Sequence, residues 1–234
     1  MKRLAAIVLA AGRGSRFGGA KQLALLDGRP LVAHVLGANL AARPALVSLD
    51  EVVVVLGFHA DAVERALEPR ASEKVRLVRN PDPGRGVASS LQVGLEALGP
   101  QIEGALVALG DQPLLLSGTV EALADAWATV VSHGTSGRSA TGAGPTAGVR
   151  PSIIVPRYAE GGGPNPVLFD RSTWPLASRL TGDSGMSAAI AAHPELVLEM
   201  DIPGSNPDVD TREDLAALRG GGGKPQPIRG LRAG

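Results

Sequence analysis

Residues 4–21 read LAAIVLAAGRGSRFGGAK, and this stretch decides the fold. From Leu4 to Ala11 every side chain is apolar. A run of this kind, preceded by Lys2 and Arg3 and closed by Gly12, has the pattern of a strand buried on both faces, as in a parallel sheet. It is too short to span a membrane, and its arginine- and glycine-rich continuation is not that of a secretory signal. The expectation is a cytoplasmic protein without a membrane partner. Behind the strand, Gly12, Gly14, Gly18 and Gly19 are interleaved with Arg13, Arg16 and Lys21. Glycine turns after a strand let backbone N–H groups approach phosphate oxygens unhindered by a Cβ, and the three cations offer positive charge to a polyphosphate. The dinucleotide fingerprint fails because Phe17 stands where its third glycine belongs. A Walker A loop fails too, since Ala20 separates Gly19 from Lys21 and Gln22 replaces the hydroxyl residue.

Outward from this strand, short apolar runs alternate with amphipathic stretches, the pattern of a mostly parallel sheet covered by helices. Further strands are predicted at Glu51–Leu56, Val75–Val78, Ala105–Leu109, Ser152–Val155 and Leu196–Met200. Helices are predicted at Pro30–Ala42, Ala60–Leu67, Val87–Leu98 and from Ser117 to about Val131. Asp27-Gly28 predicts a tight hairpin within Lys21–Leu31. One domain over residues 1–219 fits this pattern. Residues 132–150 (SHGTSGRSATGAGPTAGVR) have the composition of a flexible insertion, and 220–234 that of a flexible tail.

Composition narrows the function. The 234 residues carry 23 Lys+Arg against 23 Asp+Glu, so no general basic field is present to hold a nucleic acid. The absence of cysteine excludes disulfides, zinc–thiolate sites and thiol nucleophiles. With three Phe, two Trp and one Tyr, the core must be built from small aliphatic side chains.

Three further constellations sit where strands end. Asn80, followed by Gly86 and the pair Ser89–Ser90, opens a helix, where hydroxyls either cap free N–H groups or bond a ribose or base edge. Asp111, in Gly110-Asp111-Gln112-Pro113, follows the Ala105–Leu109 strand. A carboxylate there either caps a turn or points into the crevice where open α/β sheets bind ligands, and a hard carboxylate suits Mg²⁺. Asp208 and Asp210 share a face if their segment is extended, so either can reach the same ion; Thr211 reads as the cap of the next helix.

The run LAAG-x-G-x-R-F-G-x-x-K-Q, Leu9 to Gln22, resembles the signature loop of the MobA-like nucleotidyltransferases, most closely the molybdenum cofactor cytidylyltransferase branch. The resemblance implies a Rossmann-like, three-layer α/β/α nucleotidyltransferase fold of the GT-A type with a mostly parallel mixed sheet. It implies that Leu9, Ala10, Ala11, Gly12, Arg13 and Gly14 line the nucleotide pocket while Arg16 and Lys21 hold phosphates. By the same resemblance Asn80, Gly86, Ser89 and Ser90 bind nucleotide, and Asp111 and Asp210, with Asp208 as alternative, hold Mg²⁺. The segments Gly163-Pro164-Asn165-Pro166-Val167-Leu168-Phe169 and Gly182-Asp183 resemble the acceptor side, with Gly163, Asn165, Pro166 and Asp183 as contacts. Asn165 stands where the family carries His, and Val87 where Met is commoner.

The implied reaction transfers CMP from CTP to the terminal phosphate of molybdenum-loaded molybdopterin, with release of pyrophosphate. Arg16, Lys21 and Asp111 would be its catalytic residues. CTP is favoured because Ala11 matches the LAAG of cytidine users rather than the LAGG of guanylyltransferases. A molybdenum hydroxylase or its cofactor-insertion chaperone is the implied protein partner. Three alternatives stay open: a sugar- or alditol-phosphate acceptor, an oxidoreductase of the nicotine-blue type, and a molybdenum-cofactor carrier without chemistry.

Overall fold

The computed structural model describes residues 1–68, 72–133, 149–177, 179–183 and 186–220. Most of the predicted insertion and the tail beyond Gly220 lie outside these residues. In chain order the strands are β1 (Lys2–Ala10), β2 (Leu25–Leu26), β3 (Arg29–Pro30), β4 (Val47–Leu56), β5 (Val75–Arg79), β6 (Gly104–Leu109), β7 (Ile153–Tyr158), β8 (Val167–Asp170) and β9 (Val197–Ile202). The helices are α1 (Leu31–Ala41), α2 (Ala60–Leu67), α3 (Val87–Glu96), α4 (Ser117–His133), α5 (Trp174–Ala177), α6 (Met186–Ala192) and α7 (Arg212–Gly220). Among the described residues no helix is long and apolar enough to cross a membrane.

Seven strands form one sheet in the order β5-β4-β1-β6-β8-β7-β9. β1 lies inside it, parallel to both β4 and β6, which is why its side chains are apolar without alternation. Only β8 runs against its neighbours, so the sheet is mixed but mostly parallel, as predicted. Successive β1 residues feed opposite layers. Leu4, Ala6 and Val8 pack with Leu36 of α1, Val63 of α2 and Leu123 of α4; Ala5, Ile7 and Leu9 pack with Leu91 and Leu95 of α3. These helical layers on either face give the Rossmann-like three-layer α/β/α arrangement. Asp27 and Gly28, both at positive φ, make the predicted turn of the β2–β3 hairpin.

The structure extends or adds to several of the predicted elements, among them β4, β7 and β8. β4 begins at Val47 rather than Glu51, because its ladder with β1 continues past a bulge at Leu4/Ala5 through a polar stretch tied by an Arg3–Asp50 ion pair. β7 runs through Pro156 to Tyr158. Pro156 is tolerated because β8 pairs only with Ile153 and Ile154, so that side of the strand needs no N–H donor further along. β8, four residues within the segment that resembles an acceptor motif, is a buried strand of the sheet.

Candidate nucleotide and metal site

A cavity of about 720 Å³ opens at the carboxyl ends of β1 and β6, where open α/β sheets place ligands. Its first wall is the glycine-rich loop. The Gly14 carbonyl accepts the N–H groups of Phe17, Gly18 and Gly19 at 3.0–3.1 Å, folding the loop into a tight hook. Gly14 has φ +70°, and a Cβ there would lie 1.9 Å from the Gly19 carbonyl oxygen, so the hook requires glycine. Beneath it, the Phe17 ring is buried with Leu26, Leu31, Val209 and Leu215. Buried Gln22 donates through Nε2 to the Gly12 carbonyl at 2.9 Å. Anchored from below, the loop turns Arg13, Ser15 and Arg16 into the cavity.

The opposite wall is acidic. Asp111, at the turn after β6, and both Asp208 and Asp210 line the cavity. Residues 208–210 lie outside the strands of the sheet. They still project alike because Val209 between them is buried, and its N–H donates to the Asp111 carbonyl at 3.0 Å. Thr211 caps α7 as predicted: its Oγ1 accepts the Asp214 N–H at 3.1 Å, while Asp214 Oδ2 accepts the N–H groups of Thr211 and Asp210 at 2.7 and 3.0 Å.

Cations from the loop meet these carboxylates. Lys21 Nζ is paired with Asp111 Oδ2 and, at 2.7 Å, with Asp210 Oδ1; Arg16 reaches Asp210 Oδ2 at 2.7 Å. Burial lowers the affinity of Lys21 for its proton, but the carboxylates of Asp111 and Asp210 outweigh it and hold the ammonium charged above its ordinary pKa. The Asp208 carboxyl is pushed up, first by burial and then by the charges of Asp111 and Asp210. Three carboxylates thus face two neutralising cations, and Asp111 Oδ1 is buried without a hydrogen-bond partner among the described residues.

The second constellation divides. Gly86 and Ser90 line the cavity. Asn80 and Ser89 lie behind it, buried: Asn80 Nδ2 donates to Ser89 Oγ at 2.9 Å and Ser90 Oγ at 3.0 Å, and Ser89 Oγ donates to the Gly86 carbonyl at 2.8 Å. They brace the start of α3. Of the predicted acceptor contacts Asp183 lines the cavity, whereas Gly163, Asn165 and Pro166 are not among its lining residues. The Asn165 carbonyl instead accepts from Tyr158 Oη at 3.1 Å and from Asn206 Nδ2 at 3.3 Å. Asn206 is in turn bonded to Gln112, the neighbour of Asp111, at 3.3–3.4 Å. Phe58 also lines the cavity, unforeseen from the sequence; its one signal was position, after the carboxyl end of β4, the strand next to β1.

The fold has counterparts among known proteins. The MobA-like NTP transferase domain matches residues 6–197. Over 127 residues the chain is 42% identical to the bifunctional protein GlmU of Kineococcus radiotolerans, covering 53% of this chain and 24% of that protein. It therefore spans about a quarter of the length of that curated relative. Among solved structures, Rv0371c from Mycobacterium tuberculosis H37Rv superposes with a TM-score of 0.72 at 27% identity, over 94% of this chain and 98% of that one. The same protein has been solved in complex with manganese, with a TM-score of 0.70, 26% identity and the same coverage. The match spans most of the sheet as well as the glycine loop, and on that ground the chain belongs to the family of MobA-like NTP transferase domains.

Proposed function

We propose that the chain is a metal-dependent nucleotidyltransferase that transfers CMP from CTP to the terminal phosphate of molybdenum–molybdopterin, releasing pyrophosphate. The observation that carries the transfer reaction is the meeting, in one cavity, of the glycine loop's cations with the carboxylates of Asp111, Asp208 and Asp210. Loop amides and cations suit a triphosphate, and the opposed acidic wall suits the divalent ion that accompanies it.

The residues fit Mg²⁺. All the donors are hard carboxylate oxygens, one of them buried and without a partner among the described residues, and the acidic wall exceeds its neutralising cations by one charge. Among the described residues no three acidic or histidine side chains close a metal cage by themselves. Mg²⁺ keeps several waters and takes phosphate oxygens, so one or two of these carboxylates suffice to hold it. Asp111 with Asp210, and Asp208 beside them, would hold it. When bound, the ion neutralises charge on the phosphate oxygens and fixes their orientation.

In the reaction, an oxygen of the acceptor's phosphate attacks the α-phosphorus in line. A new P–O bond forms as the bond to the bridging oxygen breaks, and that oxygen leaves with pyrophosphate. The attacking oxygen is already anionic, so no general base is needed. Arg16 and Lys21, released from their carboxylates, would stabilise charge on the leaving group, and Ser90 and Gly86 would border the nucleoside. A molybdenum hydroxylase or its insertion chaperone would take the product.

A second reading keeps the transfer but changes the acceptor to another phosphorylated small molecule, such as a sugar or alditol phosphate. It is favoured by Gly163, Asn165 and Pro166 standing away from the cavity lining. Incubation with each of the four nucleoside triphosphates, Mg²⁺ and either the molybdenum cofactor or sugar phosphates decides between the two. Pyrophosphate release with CTP and the molybdenum cofactor is expected; release with GTP alone overturns the cytidine assignment. Asp111→Asn should abolish turnover and leave the fold intact, and near-normal turnover would remove Asp111 from the site.

A further inference from the structure

Two of the three cations in the glycine loop are already engaged, Arg16 and Lys21 by the acidic wall. Arg13 differs. Among the described residues it has no carboxylate partner; its guanidinium lies over the ring of Phe58, 4.3 Å from the centroid, and both residues line the cavity. Stacking uses the flat face of a guanidinium and leaves its N–H donors, which radiate in the plane, free to fork onto phosphate oxygens.

The support is built into the backbone as well. Gly57 packs so closely on Ala11 that a Cβ there would lie 2.5 Å from the Ala11 carbonyl oxygen. The Phe58 N–H reaches that same oxygen at 3.3 Å. His59 Nε2 lies 2.9 Å from the Arg13 carbonyl, which can only accept, so the ring nitrogen donates. Phe58 is 38% exposed, the one exposed aromatic side chain among the described residues of a ring-poor chain. The ring contributes little to the core, and what it contacts is the loop's unneutralised cation.

We propose that Phe58 and His59 are positioning residues for Arg13, holding its guanidinium in the cavity as the cation that a triphosphate engages before any existing ion pair has to break. The proposal rests on the nucleotidyltransferase reading. The ligand class is the polyphosphate, not the base.

Calorimetric titration with CTP and separately with inorganic tripolyphosphate, both with Mg²⁺, tests it. Arg13→Ala should weaken both ligands by about tenfold, the scale of a charge-assisted contact. Phe58→Leu, which keeps an apolar body without a π face, should weaken both by about threefold, and Phe58→Tyr should restore them. His59→Ala should act in the same direction, with His59→Gln, which keeps a donor, recovering the loss. In an Arg13→Ala background Phe58→Leu should have no further effect. In turnover the KM for the triphosphate should rise with kcat unchanged. A Phe58→Leu protein that binds as the wild type does, or that loses CTP but not tripolyphosphate, overturns the inference and leaves the transferase reading standing. Wild-type protein that binds neither ligand removes both.

Discussion

At Asp208 the electrostatics of the fold and the proposed metal-holding role pull in opposite directions. Its carboxyl is pushed up by burial and by the neighbouring charges of Asp111 and Asp210, with Lys21 and Gln112 pulling the other way. A raised folded-state pKa means that the folded protein prefers the protonated form. Ionised Asp208 therefore costs stability at neutral pH, and the cost disappears as pH falls through its folded pKa. Asp208→Asn should raise Tm at pH 7 by about 1–2 °C, the scale of ~0.5 kcal/mol for a screened group in a chain of this length. The gain should be absent below the ordinary aspartate range, and Mg²⁺-dependent turnover should fall. Thermal scans at the two pH values check it, and an unchanged Tm at pH 7 removes the electrostatic argument. The three carboxylates were legible in the sequence because each lies in a short motif. The pairing of Lys21 with Asp210 was not, since it joins side chains 189 residues apart through the packing of Val209 and Phe17.

At the scale of elements, the site depends on how α7 begins. The reciprocal cap between Thr211 and Asp214 fixes the turn on which Asp210 is carried, since Asp214 Oδ2 accepts the Asp210 N–H as well. Backbone and side-chain hydrogen bonds from Thr211 hold the Asp214 carboxyl below its usual range. For a lowered carboxylate the stabilisation is present above the unfolded pKa and lost as pH falls through the folded one. Wild-type α7 should therefore stay capped down to acidic pH, and Asp214→Asn should flatten the acid limb of the stability–pH curve. Thr211→Ala should cost about 1 kcal/mol at neutral pH, read by denaturant unfolding. If neither variant moves the unfolding midpoint, the cap does not hold the acidic wall. Thr211 was legible as a cap from its place ahead of Arg212-Glu213-Asp214. β8 was not legible, because three apolar residues closed by Asp170 are too short a run to carry a period; pairing with β6 and β7 makes Val167–Asp170 a strand.

The whole molecule has no net charge, yet its cavity separates charge across a few ångströms, with loop cations on one side and carboxylates on the other. A triphosphate entering alone would meet the loop favourably and the acidic wall unfavourably, while a divalent ion alone would compete with Lys21 for Asp111 and Asp210. The two ligands together relieve both conflicts, because each neutralises the wall that opposes the other. Their stabilisation of the fold should therefore be more than additive. Mg²⁺ alone and CTP alone should each shift Tm by little. Both together at a hundredfold excess over Kd should stabilise by about 2.7 kcal/mol, a Tm shift of roughly 5–10 °C at this chain length. Lys21→Met should change the pattern in a diagnostic way. With the ammonium gone, Mg²⁺ alone should stabilise more than in the wild type and CTP alone less, so the coupling between them shrinks. Differential scanning calorimetry over the four ligand conditions for both proteins measures the coupling directly. Additive shifts in the wild type would mean that the two walls act as separate sites rather than as one.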